Sequence, residues 1–214
     1  MDVALAQSLL EQFKLKDLFI QVLSWQQPSI TRSITLEAQG QAFTARMLAQ
    51  LAGAAVLAVT CDDAPGMPER SVRDAIEREV ARQFRENLCI FLDSEKKPTQ
   101  SFWVWAKRGR DEENKPTRWL REHSYFRGQP VDLFMPKLRA MFFELAEVAD
   151  GANLTVVKVA QRMQEALDVE RVTKKFFKDY QAEQVAFLQH IDGLADERER
   201  RWYASVLLNR LMFV

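Results

Sequence analysis

The chain has 214 residues with 47% hydrophobic and 28% charged composition, enough for one large domain or two small ones with a real core. Thirty Lys and Arg balance 30 Asp and Glu, so the formal net charge is zero, which argues against nucleic-acid binding by the whole surface but allows a local basic patch. No basic leader followed by an apolar core and no transmembrane run is present, so a cytoplasmic protein without a membrane partner is expected.

In chain order, Leu5, Leu9, Phe13, Ile20 and Leu23 recur at helical spacing and predict one helix over residues 2–23, which Pro28 bounds. Ile34 to Glu37 reads as a short strand, and Gln41 to Leu51 as a short helix ending at Gly53. Ala54 to Cys61 is an apolar run of strand length, followed by a turn over Asp62, Asp63, Ala64, Pro65 and Gly66. Pro68 to Asn87 is the clearest helix, with Val72, Ile76, Val80 and Phe84 on one stripe. Arg73, Glu77, Arg78, Arg82 and Arg85 form a face expected to be solvated. Leu88 to Asp93 is a second buried strand, and this strand–helix–strand order predicts a parallel pair. Phe102 to Ala106 and Arg118 to Tyr125 read as antiparallel neighbours across a polar loop from Arg108 to Pro116.

From Val131 onward the pattern turns helical, with four segments marked by Leu138, Leu154, Phe176 and Trp202, and with Gly151 and Gly193 as stops. Phe176 and Phe177 are core by spacing, and Lys174, Lys175 and Lys178 form a wet face. The expected architecture is an α/β N-terminal domain with a small mixed sheet over residues 1–150. An all-helical C-terminal region over 151–214 then leads to a further domain, with the boundary at Asp150 and Gly151.

No complete catalytic motif is present. Cys61 and Cys89 sit in apolar runs and are expected as buried free thiols, and two Cys with His123 and His190 suggest no zinc site. A metal-dependent nuclease needs carboxylates on paired strands to hold Mg²⁺ and a Lys to position water. The candidates are Asp62, Asp63, Asp93 and Glu95 with Lys97, but their spacing on one short stretch fits that geometry poorly. No glycine-rich phosphate loop occurs. The strongest binding signal is Lys107, Arg108, Arg110, Arg118, Arg121 and Arg127 with Trp103, Trp105 and Trp119 among them, because cations interleaved with aromatics grip phosphates and stack on bases. The competing reading is a polar hairpin with core-facing tryptophans, its charge diluted by Asp111, Glu112 and Glu113.

Several stretches resemble large restriction–modification adenine-specific DNA methyltransferases. They are Met67 to Arg70, Leu88 to Asp93, Arg121 to Gln129, Val169 to Lys178 and Trp202 to Phe213. The resemblance implies an α/β N-terminal region whose helices lead into a downstream methyltransferase domain, the suspected partner. That domain, not this chain, would use S-adenosylmethionine, and the whole protein would methylate DNA with possible endonuclease activity. The family's Asn-Pro-Pro-Tyr or Asn-Pro-Pro-Phe tetrapeptide and glycine-containing cofactor loop do not occur here, so no cofactor-binding residue is carried over. Three functions follow as expectations. They are a non-catalytic docking or DNA-contact segment, a divergent Mg²⁺-dependent nuclease, and a protein-interaction module with no nucleic-acid role.

Overall fold

The computed structural model describes residues 1–63, 66–111, 113–149, 154–193 and 196–212, with the backbone alone described at 169–175 and 212. It divides into two compact units, Met1–Asp168 and Val169–Val214. The predicted boundary at Asp150 and Gly151 lies outside the described residues, and the first unit continues beyond it to Asp168.

The first unit is built on a six-stranded sheet. Its strands are β1 Ile34–Ala38, β2 Gln41–Leu51, β3 Ala54–Cys61, β4 Asn87–Leu92, β5 Gln100–Arg110 and β6 Pro116–Phe126, hydrogen-bonded in sequence order. All pairs are antiparallel except β3 and β4, which run parallel across the crossover helix α3, Arg70–Gln83. The expected small N-terminal sheet followed by an all-helical region is therefore corrected. Strands spread from Ile34 to Phe126, with helices before, between and after them. The reason is burial on two faces. Every residue of β4 is buried, so the sheet needs cover on both sides.

One face packs against α1 Val3–Glu11, α2 Leu15–Asp17, a π-wound turn Leu18–Val22, α4 Met135–Ala140 and α6 Val156–Leu167. Leu88, Ile90, Trp103, Trp105 and Tyr125 point to this side, where Trp103 lies 5.7 Å from Phe19 and 5.0 Å from Phe134 between ring centroids. Trp25 closes the layer and donates its indole N–H to the Met141 carbonyl at 3.0 Å. On the opposite face Phe43, Leu57, Phe91 and Val104 meet Val72, Ile76 and Val80 of α3. α5, Leu145–Ala149, is held at Glu147 by Arg162 of α6 at 2.8 Å.

Two N-terminal expectations are corrected. The predicted single helix over 2–23 breaks after Glu11, because Phe13 takes a left-handed conformation (φ 55°) and seats its ring in the core beside Tyr125. Gln41–Leu51 is a strand and not a helix. Its Ala, Met, Leu and Gln content favours helix weakly, but pairing to β1 and β3 on both sides overrides that preference. The signal for the strand lies in its turns, where Gln39-Gly40 and Ala52-Gly53 all take positive φ, as in two-residue hairpins of matching twist.

Within β2, Phe43, Ala45 and Met47 face α3, whereas Ala49 and Leu51 face the N-terminal helices. A register shift between Met47 and Ala49 makes this possible, with Leu48 as the extra residue that changes which side the alternate positions face. Deleting Leu48 should turn Ala49 and Leu51 out of their core. It should cost at least as much as a core truncation such as Ile90→Ala, about 2–5 kcal/mol, read as a lowered urea midpoint. An unchanged midpoint would show that the bulge does not set the phase.

The second unit consists of α7, Val169–Leu188, and α8, Glu197–Met212. The helices meet through Tyr180 Oη with Asn209 Oδ1 at 3.4 Å and through Gln184 with Ser205. Phe176 and Phe177, expected in the core by spacing, are more than half exposed, while Lys174 and Lys175 lie outside the described side chains. Among the described residues no helix is long and apolar enough to cross a membrane.

Candidate functional site

The β5–β6 hairpin carries the cation-rich segment, and strand alternation divides it between two surfaces. Register pairs Arg108 with Arg118 and Val104 with Glu122 toward α3; Trp105 with Arg121 and Trp103 with His123 point toward α6. Each cation therefore meets whatever the covering helix presents.

On the α3 side the helix presents acids. Glu77 is fully buried, and its carboxylate accepts from Arg108 Nη2 at 2.5 Å, from Arg118 Nε at 3.0 Å and from Asn87 Nδ2 at 3.1 Å. Arg118 also donates to Asp74 Oδ1 at 2.5 Å. Arg73 donates to Glu122 Oε1 at 3.0 Å, and its guanidinium carbon lies 4.4 Å from the Phe102 ring centroid. The arginine–glutamate face of α3, expected to be solvated, is thus half internal. Arg73, Ile76, Glu77 and Val80 follow i, i+3, i+4, i+7 spacing, which puts the two charges on the buried stripe. That spacing was the available signal for Glu77. Desolvation works against the ionised form of both Arg118 and Asp74, but their mutual hydrogen bond and neighbouring charges prevail. The Arg118 pKa is raised and the Asp74 pKa lowered.

On the α6 side the partner is Asp168, buried at the helix end. It accepts from Lys107 Nζ at 2.5 Å and Arg121 Nε at 3.0 Å. Burial opposes ionisation of Asp168, but these two cations hold its carboxyl below the usual range. His123 donates Nε2–H to the Leu167 carbonyl at 2.7 Å, and burial of the ring pushes its pKa down despite that bond. Three side chains of the hairpin thereby bind the last turn of α6, where cations also complement the helix dipole.

The remaining candidates divide as follows. Arg127 donates to the Pro98 carbonyl at 2.6 Å and stands 5.5 Å from the Phe13 ring centroid. Arg110 bonds Asn114 across the hairpin turn at 3.1 Å and is exposed. Trp103 and Trp105 are core residues, whereas Trp119 is 44% exposed. The hairpin brings the cations together but pairs Lys107, Arg108, Arg118 and Arg121 internally. Glu112 lies outside the described residues.

The nuclease candidates gather near the carboxyl ends of β3 and β4, in structural roles. Asp62 accepts from Thr44 Oγ1 at 2.9 Å and Asp63 from the Ala42 amide at 2.8 Å. Asp93 closes the turn into β5, accepting from the Thr99 amide at 2.9 Å and Thr99 Oγ1 at 2.5 Å. Burial resists its ionisation, but these bonds lower its pKa. Glu95 pairs with Arg46 at 2.5 Å, and Lys97 is exposed. Among the described residues no group of three or more His, Cys, Asp or Glu is placed to hold a metal ion. Cys89 is buried, with its thiol pKa raised by burial, and Cys61 is half-buried; both are free.

Glu77→Ala strips the acid from between two arginines and should cost about 3–5 kcal/mol, because it leaves buried charge unpaired. Arg110→Ala at the exposed turn should change stability by less than about 0.5 kcal/mol. Equilibrium urea unfolding of both variants checks the contrast, and equal effects would show that Glu77 does not organise the hairpin. Acid should weaken the fold in two stages. The unfolded chain protonates His123 first, around its ordinary value of 6.5, so stability contributed by the neutral ring is present above that pH and lost beneath it. The depressed carboxyls Asp74, Asp93 and Asp168 contribute stability above their ordinary value of 3.8 that is lost as the pH falls further. Urea midpoints measured between about pH 7 and about pH 5 should therefore decline in the parent and decline less in His123→Gln.

No protein-family profile, curated protein or solved structure matches this chain.

Proposed function

We propose that this chain is a non-catalytic docking segment of a restriction–modification adenine-specific DNA methyltransferase, and that its partner is the methyltransferase domain of that system. The observation that carries this reading is the exposed apolar surface of the second unit. Trp202 is 69% exposed, Leu211 65% and Phe177 59%, and Phe176, Val185 and Tyr203 are also exposed. Large apolar side chains exposed on both helices are of the kind that another protein covers. The stretches that bear the likeness to those methyltransferases, Val169 to Lys178 and the described part of Trp202 to Phe213, lie on these same helices.

The hairpin supports docking over DNA contact as the main role. Lys107, Arg108, Arg118 and Arg121 have carboxylate partners, so gripping phosphate would compete with bonds the fold already uses. In this reading the methyltransferase domain holds S-adenosylmethionine and performs the transfer.

The reading frame containing this chain, or one beside it, should encode an Asn-Pro-Pro-Tyr or Asn-Pro-Pro-Phe segment. Expressed separately, that domain and this chain should co-elute on size exclusion. Replacing Phe177 and Trp202 together with Lys should weaken the pair at least about tenfold, as expected for losing aromatic interface anchors, with the unfolding midpoint of the α/β unit unchanged. Absence of any such segment, or co-elution indifferent to the double variant, would overturn the proposal.

A further inference from the structure

At the end of the sheet where β3 and β4 begin, a cleft of 510 Å³ opens between the Gly53 turn, the entry to β4 at Arg85 and Glu86, the end of β5, and the first turns of α6. A second hollow of 420 Å³ shares Arg85 and Arg108 with it and continues along Arg110, Thr117 and Arg118. Both volumes fall in the range of small-ligand sites, about 300–1,000 Å³.

Two polar groups in these walls are buried with no hydrogen-bond partner among the described residues. Trp105 is 4% exposed and lines the larger cleft, yet among the described residues its indole Nε1–H has no acceptor, and Thr117 Oγ1 in the smaller hollow has no partner there either. Buried donors are nearly always satisfied, so an orphan beside a cleft marks a place where an acceptor from outside fits. Arg85, common to both hollows, is exposed and makes no hydrogen bond among the described residues. Arg110 bonds the Asn114 carbonyl and side-chain amide, neither of which neutralises it. Arg108 and Arg118 share Glu77 and Asp74, so the smaller hollow is cationic on balance. Glu86 lines the larger cleft, and burial raises its pKa above the ordinary carboxylate value although Arg108 and Arg85 oppose that shift.

We infer that this double cleft binds a phosphorylated nucleoside, with the phosphate at Arg85 and Arg110 and the base in the larger hollow beside Trp105. The larger hollow has the mixed lining a base requires. Val156 and Val157 supply apolar contact. Gln161 and Gln164, three residues apart on one face of α6, supply amide donors and acceptors for a base edge, and the Trp105 N–H meets a ring or carbonyl acceptor. The same chemistry is offered by a free mononucleotide and by one residue of a single strand.

The test is a ¹H–¹⁵N spectrum of the full chain titrated with AMP and, separately, with an oligodeoxyadenylate. The Trp105 indole signal is assigned as the one missing from Trp105→Phe. Saturable movement of that signal is expected with AMP if the source is a free nucleotide, and with the oligomer alone if the source is a strand. Adenosine, which lacks the phosphate, should bind at least about tenfold more weakly than AMP, and Arg85→Glu should weaken AMP or the oligomer by a similar factor. Arg85 is exposed, so the rest of the variant's spectrum should overlay that of the parent. No movement of the indole signal at millimolar concentrations of either probe would overturn the inference. So would an Arg85→Glu variant that binds as tightly as the parent.

Discussion

A carboxylate with no access to water, Glu77, sits where the crossover helix meets the far end of the β5–β6 hairpin. Beyond Ala106 the hairpin offers no apolar residue large enough to pack on α3, and instead presents Arg108 and Arg118. A helix with an aliphatic stripe alone would leave those guanidinium groups desolvated and unpaired. Glu77 and Asp74 accept from them, and Asn87 satisfies the carboxylate from the start of β4. One side chain thereby links the helix, the parallel pair and the outer hairpin. Such a network adds little net energy over a well-packed apolar one, but breaking it is expensive, so it specifies how α3 lies on the sheet.

The same hairpin organises the other face through Asp168. Lys107, Arg121 and His123 converge on the end of α6, so the helix is positioned at its C-terminus by polar bonds and along its length by Val159, Met163 and Leu167. The sheet accepts helices on both sides because β3 and β4 are apolar on both faces, and because the bulge at Leu48 lets β2 serve one core with its first half and the other with its second. Segments from both ends of the first unit, Met1 to Leu23 at one end and Val131 to Phe143 with Leu154 to Leu167 at the other, cover a single face. The core on this face is therefore closed between segments far apart in the chain.

These arrangements separate the molecule's cations by task. Those aimed at a covering helix hold the fold, and those at the hairpin's tip and the entry to β4 remain available to a ligand. The second unit differs in kind, because its two helices keep large aromatic and aliphatic side chains at the surface. It is this exposed apolar surface on which the proposed docking rests.

Much of the fold was legible in residue order. Ala54 to Cys61 and Leu88 to Asp93 are runs too apolar for anything but buried strands, and the helix between them follows from the spacing of Val72, Ile76 and Val80, so the parallel pair could be derived locally. The antiparallel partnership of Phe102 to Ala106 with Arg118 to Tyr125 was equally local. What the sequence could not determine depends on partners distant in the chain. Gln41 to Leu51 has the composition of a weak helix, and it is a strand because β1 and β3 offer hydrogen bonds on both sides. Phe13 interrupts a helical stripe because Tyr125 lies opposite it. The candidate site shows the same division. Alternation along the hairpin revealed which cations share a face, but nothing in their spacing revealed Glu77 on one side and Asp168 on the other. A charge is free or internal according to what covers it, and only the tertiary structure brings residues 77 and 168 to residues 108 and 121.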